Sequence, residues 1–196
     1  LIAAGESKLV NMVLDMLRNE MGRRLNLIPA DQLAFAYIVD FPLFKYDDKL
    51  GRWDSVHHPF SAPKDEDIKY MDSAPEKVKG KQYDLICNGY ELASGSIRIH
   101  DREIQNKVFR LLGYEDEEIR ERFGHLLDAF EYGAPPHGGV APGIDRTVMI
   151  LAGEENIREV IAFPKNQSAM DLTLDAPSPV TEEQLTELHL RLLEEE

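Results

Sequence analysis

The chain has 196 residues, 43% hydrophobic and 30% charged, which suits one soluble domain of ordinary size. Its formal net charge of −14 argues against a broad nucleic-acid surface on this stretch, because phosphate binding draws on Lys and Arg. No apolar run approaches the roughly 20 residues that span a bilayer, and a single cysteine, Cys87, excludes an intramolecular disulfide and fits a reducing compartment.

Leu1-Ile2-Ala3-Ala4 lacks both a starting Met and a signal-peptide pattern, and reads as an internal point of a longer chain opening on a short strand. Residues 7–25 read as a helix. Ser7 can cap it, Leu9, Val10, Val13, Leu14, Leu17 and Met21 form an apolar stripe, and Arg23 and Arg24 suit its last turn. Residues 34–40 read as a buried strand stopped by Phe41-Pro42, and Asp47 to Gly51 have turn chemistry for a polar hairpin. His57-His58-Pro59-Phe60 opens a loop rich in Pro, Lys and Asp that runs to about residue 80.

Residues 83–88 and 90–99 read as strands, with Cys87 as a buried structural thiol. Helices are expected over 101–112 and 116–132, stopped by Gly113 and Gly133. After Pro135-Pro136 and a Gly-rich run, 143–152 read as a helix, 160–163 as a strand, and Thr181 with Gln184 as the capping box of a helix to about 193. Strands and helices that do not alternate strictly predict an α+β fold with a mainly antiparallel sheet.

Three clusters could carry chemistry. In His137-Gly-Gly-Val-Ala-Pro-Gly143-Ile144-Asp145-Arg146, glycines let backbone approach a ligand, a helix N-terminus offers unpaired N–H groups, and Arg146 could meet a phosphate or a flat base; a glycine turn with a surface Arg fits the same spacing. Asp84, Glu91 and Arg98 could supply hard oxygen ligands and a two-pronged carboxylate grip, or simply line a solvated sheet face. Their separations are seven residues each, so regular strands would send successive members to opposite faces. A turn at Asn88-Gly89 and a bulge near Ser94-Gly95 are therefore expected. His57 and His58 could hydrogen-bond a carboxylate from a loop that closes over substrate, or simply belong to an ordinary loop; no Cys or third His stands nearby at zinc-site spacing. There is no P-loop, G-x-G-x-x-G or G-x-S-x-G.

Taken in order, His57-His58-Pro59-Phe60, Asp84-Leu-Ile-Cys-Asn-Gly-Tyr-Glu91, Ser94-Gly-Ser-Ile-Arg98-Ile-His100 and Gly143-Ile-Asp-Arg146 resemble the C-terminal catalytic part of bacterial-type aspartyl-tRNA synthetases, the last piece resembling motif 3 of class II synthetases. Ile161-Ala-Phe-Pro-Lys165 and Ala176-Pro-Ser-Pro179 extend the likeness, which covers about 34–196. Residues 1–30 look more loosely like the tail of the insertion domain, with 31–196 as catalytic domain and C-terminal extension.

The resemblance implies a ligase that joins L-aspartate to ATP as aspartyl-adenylate and passes it to tRNA(Asp), with tRNA(Asn) as a second acceptor left open. It implies aspartate binding by His57, His58 and Arg98, ATP binding by Glu91, Gly143, Ile144, Asp145 and Arg146, and Mg²⁺ at Asp84 and Glu91. No covalent nucleophile is expected, since positioning and charge neutralisation suffice. It also implies a cytoplasmic homodimer, held through regions absent here. Motifs 1 and 2 and the anticodon-binding domain are not in this stretch, so activity is expected of a longer parent and not of these residues alone. An aspartate–ammonia ligase and a non-catalytic synthetase-derived module are the rival readings, with lysyl and asparaginyl synthetases as the nearest confusable relatives.

Overall fold

The computed structural model describes residues 2–29 and 31–193. Its centre is a four-stranded, wholly antiparallel sheet in the order β1 (Phe35–Val39), β4 (Gln82–Cys87), β5 (Tyr90–Ile97), β6 (Gly138–Pro142). A separate hairpin of β2 (Phe44–Asp47) and β3 (Arg52–Ser55) precedes the long loop, which contains only short 3₁₀ turns at Asp65–Tyr70 and Pro75–Lys77. The helices are α1 (Ser7–Arg24), α2 (Arg102–Leu111), α3 (Asp116–Glu131), α4 (Ile144–Ala152) and α5 (Glu182–Glu187). The α+β expectation is met.

Hydrophobic burial divides into two clusters. Leu43, Phe44, Met71, Val78, Ile99 and Val108 knit the hairpin and the long loop to the first face of α2. Phe109, Ile119 and Leu127 join α2 to α3, and Phe60 inserts among their aromatic rings. Phe109 and Phe123 stack at 4.8 Å, and Phe60 meets them edge-on at 5.9 and 5.6 Å. Such pairs contribute about 0.5–1.5 kcal/mol each beyond area burial. The loop carrying His57 and His58 is thereby anchored immediately after Pro59.

Isolated bridges fasten that loop to itself and to the segments flanking the strands. Pro42 bridges Lys79, Pro63 bridges Gly80, and Ser61 bridges Arg98. Lys64 donates to the Asp40 carboxylate, which holds the Asp40 carboxyl below its ordinary range.

Several sequence expectations are corrected. Residues 2–4 form no strand, and Leu1 lies outside the described residues. Glu6, not Ser7, occupies the cap position of α1, without a side-chain capping bond. The apolar stripe of α1 contains no buried residue, and all five residues of β1 are exposed rather than buried. β1 is an edge strand, so β4 covers only one of its sides. The segment 160–163 is not a strand; Phe163 has a left-handed φ of 56°, incompatible with an extended run. The Thr181–Gln184 capping box is present, but α5 stops at Glu187, with His189 at φ 55° beyond it. The Gly-rich run concealed β6, whose glycines give no β signal.

Candidate active site

The bulge predicted near Ser94-Gly95 lies at Leu92 instead. Asp84 pairs with Ser94 and Leu85 with Ala93, but Ile86 pairs with Glu91, leaving Leu92 as the extra residue. The Asn88-Gly89 turn is as expected, with φ of 51° and 88°. Directly paired residues share a face, and so do residues two apart on a regular strand. Asp84 therefore shares its face with Ser94, Ser96 and Arg98, while Glu91 joins them through Ile86. The extra residue removes the parity conflict between Glu91 and Arg98. Gly139, opposite Ser96, lies on the same face, and a Cβ there would stand 3.0 Å from Arg98 Nη2.

At the Arg98 end, a cavity of about 400 Å³ opens between His58, Phe60, Arg98, Leu126, Phe130 and His137. The Arg98 backbone N–H donates to the His137 carbonyl, fixing the root of the side chain. Its Nη1 contacts Ser96 Oγ and His58 Nε2. Ser61 Oγ donates to Ser96 Oγ at 3.0 Å, and both serines are wholly buried. Composition could not have flagged these serines; only the pairing of loop and strand shows them supporting Arg98 and His58.

The two histidines differ. His57 is exposed, with Nδ1 3.4 Å from Ser61 Oγ and its ring tilted on His58 at 4.4 Å. His58 is half-buried and pushed down to about 4, first by burial and then by the charges of Arg98 and His57. It is thus neutral at physiological pH. The Phe60 N–H donates to His58 Nδ1 at 3.2 Å, while Ser96 Oγ and Arg98 stand at Nε2. A neutral imidazole accepts at one nitrogen only, so the Phe60 amide and Arg98 compete for the ring.

At the other end, Gly143 donates its N–H to the carbonyl of Leu92 at 2.7 Å, seating the start of α4 on the bulge. Arg146, in the first turn of α4, donates to the Glu91 carbonyl at 2.9 Å and lies 3.9 Å from the Glu91 carboxylate. Glu91, Arg146, Tyr90, Met149 and Glu155 border a second cavity of about 480 Å³. Gly143, Ile144, Asp145 and Arg146 are exposed at this end, and Asp145 makes no ion pair among the described residues. With six steps of about 3.3 Å between Glu91 and Arg98, the two ends lie on the order of 20 Å apart along β5. Asp84 sits beneath them on β4 and borders neither cavity.

The arrangement offers cationic groups at both ends and two carboxylates between or beside them, all on one sheet face. Such a surface suits an extended ligand bearing anionic groups and a hard cation. Among the described residues no cluster of three or more His, Cys, Asp or Glu could cage a metal alone. No helix is long and apolar enough to cross a membrane among these residues.

The chain is 60% identical over 192 residues to the aspartate–tRNA(Asp/Asn) ligase of Dehalococcoides mccartyi strain BAV1, covering 98% of this chain and 32% of that protein. It is 50% identical over 196 residues to the aspartate–tRNA ligase of Listeria welshimeri, covering 100% and 33%. The chain thus spans about a third of the length of these relatives. The solved aspartyl tRNA synthetase of Entamoeba histolytica shares the fold, with TM-score 0.52 and 23% identity over 78% of this chain and 26% of that one. Residues 8–167 match the family of class II tRNA synthetases (D, K and N), and the chain belongs to that family.

Proposed function

We propose that the longer protein carrying this chain is an aspartate–tRNA ligase, and that the single face bearing Asp84, Glu91 and Arg98 is its activation site. The bulge at Leu92 carries the reading, because without it Glu91 and Arg98 would stand on opposite sides of the sheet. Arg98, supported by Ser96 and the His137 carbonyl, grips the side-chain carboxylate of L-aspartate, and His57 and His58 close over it. Gly143, Ile144, Asp145 and Arg146 receive ATP at the start of α4, where backbone N–H groups and the guanidinium meet phosphate or base.

Asp84 and Glu91 fit Mg²⁺. Two carboxylates without a full protein cage are the donor set this ion takes when phosphates and water complete its shell. When bound, the ion would neutralise phosphate charge during displacement of pyrophosphate. The protein's own residues bring the aspartate α-carboxylate and the α-phosphorus of ATP together and stabilise the charge that develops. The aspartyl group then passes to tRNA(Asp), and to tRNA(Asn) as well, the pair of acceptors in the name of the 60%-identical Dehalococcoides relative. The same reading makes the parent a cytoplasmic homodimer. It takes residues 1–30 as the tail of an insertion domain and 31–196 as catalytic domain with its extension.

The test is Arg98→Leu in the full-length protein. Aspartate-dependent ATP–pyrophosphate exchange should show a steep rise in aspartate KM with ATP KM preserved, and the 196-residue stretch alone should show no exchange. An unchanged aspartate KM would remove Arg98 from the substrate, and exchange supported by another amino acid would replace aspartate.

A further inference from the structure

Gln105 is among the most buried polar residues of the chain, 2% exposed on the face of α2 that meets the loop. Its Nε2 donates to the Pro59 carbonyl at 2.8 Å. Its Oε1 has no partner among the described residues. A buried amide with half its capacity unused is costly in a helix face where Leu would pack without penalty. Something other than helix packing accounts for its presence.

The bond reaches one particular peptide unit. The carbonyl of Pro59 and the N–H of Phe60 belong to the same rigid plane. Gln105 holds the carbonyl end, and the N–H end donates to His58 Nδ1. Immediately afterwards the Phe60 ring is wedged between Phe109 and Phe123. The plane is therefore clamped by a hydrogen bond on one side and an aromatic ring on the other. Its N–H direction is set before any ligand arrives.

We propose that Gln105 is a positioning residue which, through the Pro59–Phe60 peptide, fixes His58 Nδ1 as an acceptor and leaves Nε2–H as a donor facing Arg98, Ser96 and the cavity. This ends the competition for the ring described above. The clamped amide takes Nδ1, and the guanidinium of Arg98, deprived of an acceptor at Nε2, is free to turn to a carboxylate. The ring, held neutral, presents a second donor toward the same carboxylate. The kinetic part of this inference rests on the aspartate reading, whereas the ring tautomer does not.

The experiment uses the full-length protein labelled with ¹⁵N at histidine, with His58→Gln to assign the His58 signals. The Nε2–H tautomer should dominate at neutral pH in the unsubstituted protein. Gln105→Leu removes the donor and the idle Oε1 together; Gln105→Ala removes the whole side chain beyond Cβ. Both should shift His58 toward the Nδ1–H form, and both should raise aspartate KM about tenfold, the scale of one hydrogen bond, while kcat and ATP KM change less than twofold. Gln105→Met serves if either variant fails to fold. A His58 tautomer unchanged in a folded variant lacking the donor overturns the proposal, as does an Nδ1–H form in the unsubstituted protein. A tautomer shift in a protein without any aspartate-dependent exchange would instead sustain the clamp and defeat the functional reading.

Discussion

Replacing Gly139 by Ala tests the Arg98 assignment without touching Arg98. The added methyl would stand 3.0 Å from Arg98 Nη2 and 3.8 Å from Cζ and Nε, and meets no backbone atom among its three nearest neighbours. The guanidinium is the flexible end of a side chain, so it yields by a few tenths of an ångström while the strand stays in place. Gly139 lacks a positive φ, so Ala fits its backbone and should stabilise the chain by about 0.4–1 kcal/mol through the unfolded state. Shifting one prong of a two-pronged grip on a carboxylate, without removing it, should cost up to about 1.5 kcal/mol of aspartate binding, which is up to about 10-fold. Stability and aspartate affinity should therefore move in opposite directions. Pyrophosphate exchange by the full-length protein at varied aspartate, with urea unfolding alongside, reads both. A folded G139A protein with aspartate KM within twofold of the unsubstituted one would show that Arg98 does not hold the carboxylate.

Gly95→Ala should behave in the contrary way. Its Cβ would lie 2.3 Å from the Gly139 carbonyl and 2.7 Å from the Tyr83 ring. β5 and β6 must separate, at a cost of about 1–3 kcal/mol or more, seen as a lower urea midpoint. His58 should give the chain an acid-sensitive stability: its folded pKa of about 4 lies below the ordinary 6.5, so the contribution is complete above about pH 6.5 and fades as pH falls toward 4. Water around the half-exposed ring limits this to about 1 kcal/mol. His58→Gln should flatten that part of the pH–stability curve, and an unaltered slope would place the ring in an ordinary solvated setting.

The sequence discloses the site's members better than their support. Asp84, Glu91 and Arg98 are visible because charged residues at odd spacings on strands demand an irregularity, a turn between Asp84 and Glu91 and a bulge between Glu91 and Arg98, whereas Arg146 is visible from the glycine run that precedes its helix. The bulge lies at Leu92 and not at Gly95, which is small because Tyr83 and the Gly139 carbonyl press on it. β6 carries no strand signal for a related reason, since Gly138 and Gly139 answer to crowding from Ser96, Ile97 and Arg98 and not to strand propensity. β1 has the composition of a core strand, yet lies at an edge with Tyr37 67% exposed, because burial depends on what covers a strand. Ser61 and Gln105 carry no signal in a single sequence, and Ser96 appears there only within the segment from Ser94 to His100 that carries the resemblance; their supporting contacts come from tertiary structure.

Leu92 exists as length rather than as chemistry. No point substitution can restore an even ladder across β4 and β5, since any side chain at this position leaves the count unchanged. What the neighbouring helix takes from Leu92 is a carbonyl oxygen, which every amino acid supplies. Drift in residue type at position 92 is thus harmless to the site, whereas loss of a single codon there would turn Glu91 away from Arg98 and unseat Gly143 in the same event.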